Sequence, residues 1–160
     1  MGDFDDYAAS ARSAHDAKQA EHDAQLKSAH DERMANWERG RKFLIEEALP
    51  VVLEARQAFV RQGILVDPVD NWTATGLFTD PQISAKFSGQ KKRPDGTTYS
   101  LNGPSVVIIH NGIRLSVGVS DNQHGAIRAG KFQSNDLSGV ADGLKMALAK
   151  MFDQLDPTKT

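Results

Sequence analysis

A change in hydrophobic period at Gly63 constrains the fold of this sequence more than any other feature. Before Gly63, apolar residues recur at steps of three, four or seven, which is the spacing of one helix face. Over residues 64–132, apolar and polar residues mostly alternate instead. Alternation is typical of a strand with one buried face. The chain is therefore expected to combine helices with a sheet.

Two amphipathic helices are predicted, one on each side of the strand region. The first covers residues 37–62, with Pro50 expected to kink or split it and Gly63 to end it. The second covers residues 135–155, where leucines, Val140 and Met151 follow one another at steps of three and four. Both helices need a sheet to cover their apolar faces.

Short turns connect the predicted strands. Pro94-Asp95-Gly96 and His110-Asn111-Gly112 are turn sequences, and connections this short join antiparallel neighbours. After the second turn, four apolar residues are expected to point inward: Ile113, Leu115, Val117 and Val119. The prediction is an α+β fold, an antiparallel β-meander of about 4–6 strands packed on one face by two amphipathic helices.

The segment 1–36 is predicted to be a polar, alanine-rich helical arm, separate from an α+β domain over residues 37–160. It contains strong helix formers and, after Gly2, neither glycine nor proline. It carries eight acidic residues and four basic ones. A solvated helix is the favoured interpretation. The main alternative is an arm for oligomerisation, such as a homodimer formed through this helix, or for binding a partner.

Composition excludes several classes of protein. The net charge is -2, which argues against binding nucleic acid through the overall field. The absence of cysteine removes disulfides and thiolate chemistry. No signal peptide or membrane span is recognised, so a cytoplasmic protein is expected. No motif indicates a cofactor or a metal, and none is predicted.

The outward face of the meander offers hydroxyls and positive charge. Arg and Lys form charge-assisted hydrogen bonds to phosphate or carboxylate groups. An ordinary solvated face, with a basic loop that discourages edge pairing, is the competing interpretation. Bases would lack a stacking platform, because Tyr99 and Phe87 share the side of the core residues. The predicted partner-binding residues are Lys86, Lys91, Lys92, Arg93, Arg114 and Arg128.

No catalytic residue is predicted. His110, Asp121 and His124 are the most reactive candidates, but a meander places the turn at His110 about 25 Å from the loop holding the other two. The loop aromatics Trp72 and Phe78 are interpreted as a lid on the core rather than as partner anchors.

These patterns together predict a non-enzymatic protein-binding domain that docks on a partner protein, of the adaptor, chaperone, immunity or inhibitor type. The alternative is a small nucleic-acid-associated protein that uses the basic loop and the polar sheet face. Many unrelated proteins share this layout of helices and strands, so the layout alone does not determine function.

Overall fold

The computed structural model describes residues 2–72, 79–120, 133–134 and 136–158, and its elements follow the predicted order. The helices are α1 (Gly2–Phe43), a π-helical segment (Leu44–Ala48), α2 (Leu49–Val60) and α3 (Ser138–Leu155). The strands are β1 (Leu65–Asp70), β2 (Gln82–Lys92), β3 (Thr98–His110), β4 (Leu115–Ser120) and β5 (Gln133–Ser134). The last part of the predicted strand region, residues 121–132, lies outside the described residues.

The strands form one antiparallel sheet in the order β1-β2-β3-β4-β5. α3 packs on β2, β3 and β4, while α2 packs on β1 and on α3. The predicted α+β class, with an antiparallel sheet and two amphipathic helices on one face, is confirmed. The face that the helices cover is called the first face below, and the opposite one the second face.

The helix around Pro50 changes geometry where the sequence predicts a break. Leu49 donates its N–H to the carbonyl of Leu44, five residues back, and Pro50 then occupies the first turn of α2. Proline has no N–H to donate and clashes with the carbonyl four residues earlier. The widened π turn accommodates it without ending the helical path.

The core lies between the first face and the helices. Its strand residues alternate as predicted, and Gly103 on β3 leaves room for α3, because a Cβ there would overlap the Met151 sulfur. Ile113 is an exception, since it lies in a turn and is 79% exposed. The fully buried large side chains are Phe87, Leu44, Ile64, Ile83, Ile108, Leu144, Met151, Val52, Val106, Val117, Val119 and Val140.

The chain divides into two compact units, Met1–Ala35 and Asn36–Thr160. In the first unit, residues 2–35 are helical throughout and every side chain is exposed. Arg12 pairs with Asp16 one turn along the helix, and such pairs add a few tenths of a kcal/mol to helix stability. None of the described helices is both long and apolar enough to cross a lipid bilayer.

Candidate functional site

The predicted partner-binding cations are distributed over three places. Lys91, Lys92 and Arg93 lie at the hairpin between β2 and β3, and Lys86 lies midway along β2. Arg114 belongs to the hairpin between β3 and β4. The 13 residues of β3 separate the two hairpins by about 40 Å. The structure therefore does not bring these cations into one site. Arg128 lies outside the described residues.

The basic hairpin places a cation over its aromatic residue. The Arg93 guanidinium carbon lies 4.8 Å from the centroid of the Tyr99 ring, a cation–π contact. Tyr99 pairs with Lys91 across the strands, so both lie on the same side of the sheet as the core residues. A base could stack on this face of the ring only by displacing the arginine.

One cross-strand row on the second face combines charge with hydroxyls. Asp67 pairs with Lys86, Lys86 with Ser105, and Ser105 with Ser120, so these residues cross the first four strands side by side. The four residues are called the Lys86 row below. Asp67 and Lys86 are exposed, whereas Ser105 and Ser120 are buried.

Ser120 is the unusual member of this row. Its residue is 1% exposed, and its Oγ has no hydrogen-bond partner among the described residues. Ser84, also buried on the second face, differs because its Oγ accepts a hydrogen bond from Gln82 Nε2 at 3.0 Å. Alternation predicts that Ser120 points away from the core, but nothing in the local pattern predicts that it is buried.

The side chain of His110 packs against α1 and holds the backbone of its own hairpin. Its imidazole is buried, stacks on Phe43 with ring centroids 4.4 Å apart, and accepts the Gly112 N–H at Nδ1 over 2.9 Å. Burial lowers the pKa of His110. These contacts favour a neutral ring that holds the hairpin. Asp121 and His124, the other two members of the predicted group, lie outside the described residues.

Gly40, on α1, explains why the His110 hairpin lies so close to the helix. A Cβ at Gly40 would overlap the His110 carbonyl oxygen and lie 3.1 Å from the Gly112 nitrogen. This contact was not predicted from the sequence. The available signal was an isolated glycine inside a helical pattern, which often marks close packing.

Trp72 packs against the core and meets Trp37 edge to face, with ring centroids 6.3 Å apart. Trp37 Nε1 donates a hydrogen bond to the Thr79 carbonyl at 3.2 Å. These contacts agree with a lid on the core. Phe78, the second predicted lid residue, lies outside the described residues.

In the part of the chain that the structure describes, no group of three or more His, Asp or Glu side chains is arranged to hold a metal ion. The chain matches no protein-family model, no curated protein and no solved structure.

Proposed function

We propose that this chain is a non-enzymatic protein-binding domain that docks on a partner protein, as an adaptor, chaperone, immunity protein or inhibitor does. The observation that supports it is the exposed helix of residues 2–35, where Phe4 is 91% and Tyr7 76% exposed. A polar helix without packing contacts is marginal in water, and exposed aromatics favour burial. Such a helix gains stability when another protein covers it.

One side of this helix is suited to a partner. Successive residues of a helix are rotated by about 100° around its axis. One arc of about 100° on this helix contains none of the eight acidic residues in segment 1–36. We call this side the arm strip. Its members are Phe4, Tyr7, Ala8, Ala11, His15, Lys18, His22, Gln25, Leu26, Ala29 and Arg33.

A second copy of the chain is the partner that best fits the arm strip. The strip carries the cations Lys18 and Arg33, while carboxylates flank it on both sides. Two strips packed antiparallel about His15 bring Phe4 of one copy beside Leu26 of the other. A second copy offers both the cations of the strip and the carboxylates of its flanks, and opposite charges favour association. The proposed assembly is a homodimer formed through the arm.

Light scattering on the full chain tests the dimer. The wild type is expected at twice the 17.5 kDa mass of one chain. Leu26→Asp places a carboxylate in the arm strip and should yield the monomer mass. Ser28→Asp adds the same charge two residues along, outside the strip, and should leave the dimer intact. A monomeric wild type, or equal effects of the two substitutions, would contradict the dimer.

Docking on another protein is tested by capture from the native host followed by mass spectrometry. A partner retained by the wild type should be lost when Lys86→Glu reverses the charge at the centre of the second face. Ser116→Glu, an exposed position on the same face, serves as the control. Equal capture by all three proteins would show that the second face is not the docking surface.

A nucleic-acid-associated role is the second candidate, favoured by the three consecutive cations Lys91, Lys92 and Arg93 at one hairpin. Such contacts would be salt-dependent, because each phosphate contact releases counterions. Charge reversal at the three positions should then abolish binding to a single-stranded DNA probe. Unchanged binding would dismiss this candidate and leave the protein-docking function in place.

A further inference from the structure

We propose that His110, Asn111 and Gly112 form a self-modifying site, which converts the side-chain amide of Asn111 to a carboxylate and releases ammonia. In an Asn-Gly pair the glycine nitrogen can attack the carboxamide of the asparagine, because glycine has no side chain to obstruct the approach. Asn111 is exposed, so solvent water reaches it. The hairpin between β3 and β4 surrounds this pair with a base and two hydrogen-bond donors.

His110 provides the base. Its Nδ1 accepts the Gly112 N–H at 2.9 Å, so the nitrogen that must lose a proton is already hydrogen-bonded to an imidazole. A general base has to lie within this distance of the proton that it takes. The stack on Phe43 holds the ring in place. Burial lowers the pKa of His110, which keeps the imidazole in the neutral form that can accept a proton.

The turn prepares the Asn111 side chain for attack. Asn111 Oδ1 accepts the N–H groups of Ile113 at 2.9 Å and Arg114 at 2.7 Å, so the carboxamide is folded back along the Gly112 peptide. Donors at these distances are those of an oxyanion hole. Negative charge develops on Oδ1 when the carboxamide carbon is attacked. Both hydrogen bonds then become stronger in the transition state than in the ground state, which lowers the barrier.

The reaction consumes water and releases ammonia. His110 Nδ1 takes the proton from the Gly112 nitrogen while this nitrogen forms a bond to Asn111 Cγ. The proton then passes to Asn111 Nδ2, the bond between Cγ and Nδ2 breaks, and ammonia leaves a cyclic succinimide. Water opens the ring at either carbonyl group and returns a proton to the Gly112 nitrogen. The products are aspartate and isoaspartate. Each chain reacts once, so the site is compatible with a non-enzymatic protein.

A second Asn-Gly pair in the chain serves as an internal control. Asn102-Gly103 lies within β3, and leucine precedes it where histidine precedes Asn111. The Asn102 side chain is exposed, as that of Asn111 is, so water reaches both. The two pairs therefore have the same reacting groups, but only the pair in the turn has a base bound to its glycine N–H.

The test compares the deamidation rates of both pairs in the folded protein and in the chain unfolded by guanidinium chloride. Fragmentation of peptides in a mass spectrometer measures the conversion of each asparagine separately, and chromatography separates aspartate from isoaspartate. Asn111 should react faster in the folded protein than in the unfolded chain, by about a hundredfold, the lower end of what a positioned general base contributes. Asn102 should react more slowly when folded, because β3 holds its backbone extended.

Two substitutions of His110 separate proton transfer from hydrogen bonding. His110→Phe keeps a ring that can stack on Phe43 and removes the base, so the folded-state rate at Asn111 should fall by about a hundredfold. His110→Asn keeps an acceptor for the Gly112 N–H without a base and should be equally slow. Slow reaction of Asn102 reports that each variant is folded. His30→Phe removes an exposed histidine of α1 and should react as the wild type does.

The site is overturned if Asn111 reacts more slowly in the folded protein than in the unfolded chain, since the hydrogen bond to His110 would then protect the pair. It is equally overturned if His110→Asn reacts as fast as the wild type, because an acceptor alone would then account for the rate. Aspartate as the sole product would contradict the succinimide, whose ring opens at both carbonyl groups. None of these outcomes depends on the arm or on a partner protein.

Discussion

Each of the two hairpins that flank β3 contains a glycine with positive φ, but only one of these glycines also lies against a helix. Gly96 has φ +93° and Gly112 has φ +92°, in the left-handed region that favours glycine. A Cβ at Gly96 would meet no atom within 4 Å. A Cβ at Gly112 would overlap the Asn36 carbonyl oxygen and lie 2.7 Å from the Asn36 Cα. One turn is thus determined locally, and the other is also a packing contact.

Turn chemistry explains the local part in both cases. Around Gly96, Arg93 accepts the Gly96 N–H and donates to the Thr97 carbonyl, which gives a three-residue loop. Around Gly112, Asn111 donates to the Arg114 carbonyl, which gives a two-residue loop. Gly96 follows the type I turn of the three-residue loop, whereas Gly112 is the first central residue of the two-residue turn. A turn sequence therefore predicts φ but not what lies against the turn.

The largest difference between the hairpins should appear when each glycine is replaced by alanine. Gly96→Ala should cost about 1–2 kcal/mol, the penalty of a Cβ in the left-handed region. Gly112→Ala carries the same penalty plus the overlap with Asn36, which adds about 1–3 kcal/mol. Urea unfolding of both variants measures the difference. Equal losses would mean that α1 does not press on the second hairpin in solution.

Gly40→Ala tests the same contact from the helix side. In an exposed helix, replacing glycine by alanine stabilises by about 1 kcal/mol. Here the new Cβ would overlap the His110 carbonyl oxygen, so the variant should instead be less stable by about 1–3 kcal/mol. Urea unfolding gives the sign of the change in the free energy of unfolding. A more stable variant would show that Gly40 does not pack against the His110 carbonyl in solution.

The predictable parts of this fold are those that a local pattern encodes. The change of period at Gly63 predicts the α+β class. The predicted helix stop at Gly63 and the predicted turns at Gly96 and Gly112 coincide with the glycines of positive φ among the described residues. Pro50 predicts the altered helix geometry. Each of these follows from residues within a few positions of one another, because turn type and side-chain period are local properties.

The candidate site could be predicted only in part, because it depends on contacts between distant strands. Gly103 and Pro104 interrupt the alternation of the strand region, but β3 runs through both residues with a register shift against β2. This single long strand moves the basic hairpin far from Arg114. Cross-strand pairing also places Asp67 beside Lys86. Ser120 is buried, which no local pattern predicts.

His110 extends the comparison to pH, since only the second hairpin holds a buried histidine. Burial lowers its pKa in the folded state, so the unfolded chain binds a proton more readily. Its contribution to stability is full above the unfolded pKa of about 6.5 and is lost as the pH falls through the folded pKa. A proton on His110 Nδ1 would also turn this nitrogen into a donor that faces the Gly112 N–H, and the hydrogen bond between them would be lost.

His110→Asn isolates this effect, because the asparagine oxygen can accept the Gly112 N–H without titrating. Urea unfolding at about pH 7.5 and about pH 5.5 should show a smaller loss of stability in the variant than in the wild type. The other four histidines are present in both proteins, so the comparison reports on position 110. Equal losses would assign the pH dependence to groups other than His110.

The smallest effect should come from Asp95 in the first hairpin. The Thr97 hydroxyl, at 2.6 Å, and the Thr97 N–H, at 2.9 Å, donate to its Oδ1 and lower the Asp95 pKa. A lowered folded pKa stabilises the protein above the unfolded value of 3.8 and loses this contribution as the pH falls through the folded pKa. Asp95→Asn keeps the acceptor and removes the titration, so the pH midpoint of its acid unfolding should lie slightly lower than that of the wild type.

Asn111→Asp is the reciprocal change at the second hairpin. Asn111 Oδ1 accepts the Ile113 and Arg114 N–H groups, so an aspartate at this position should introduce acid sensitivity there. If both midpoints equal that of the wild type, side-chain capping contributes nothing measurable, and the hairpins differ only through the packing around Gly112.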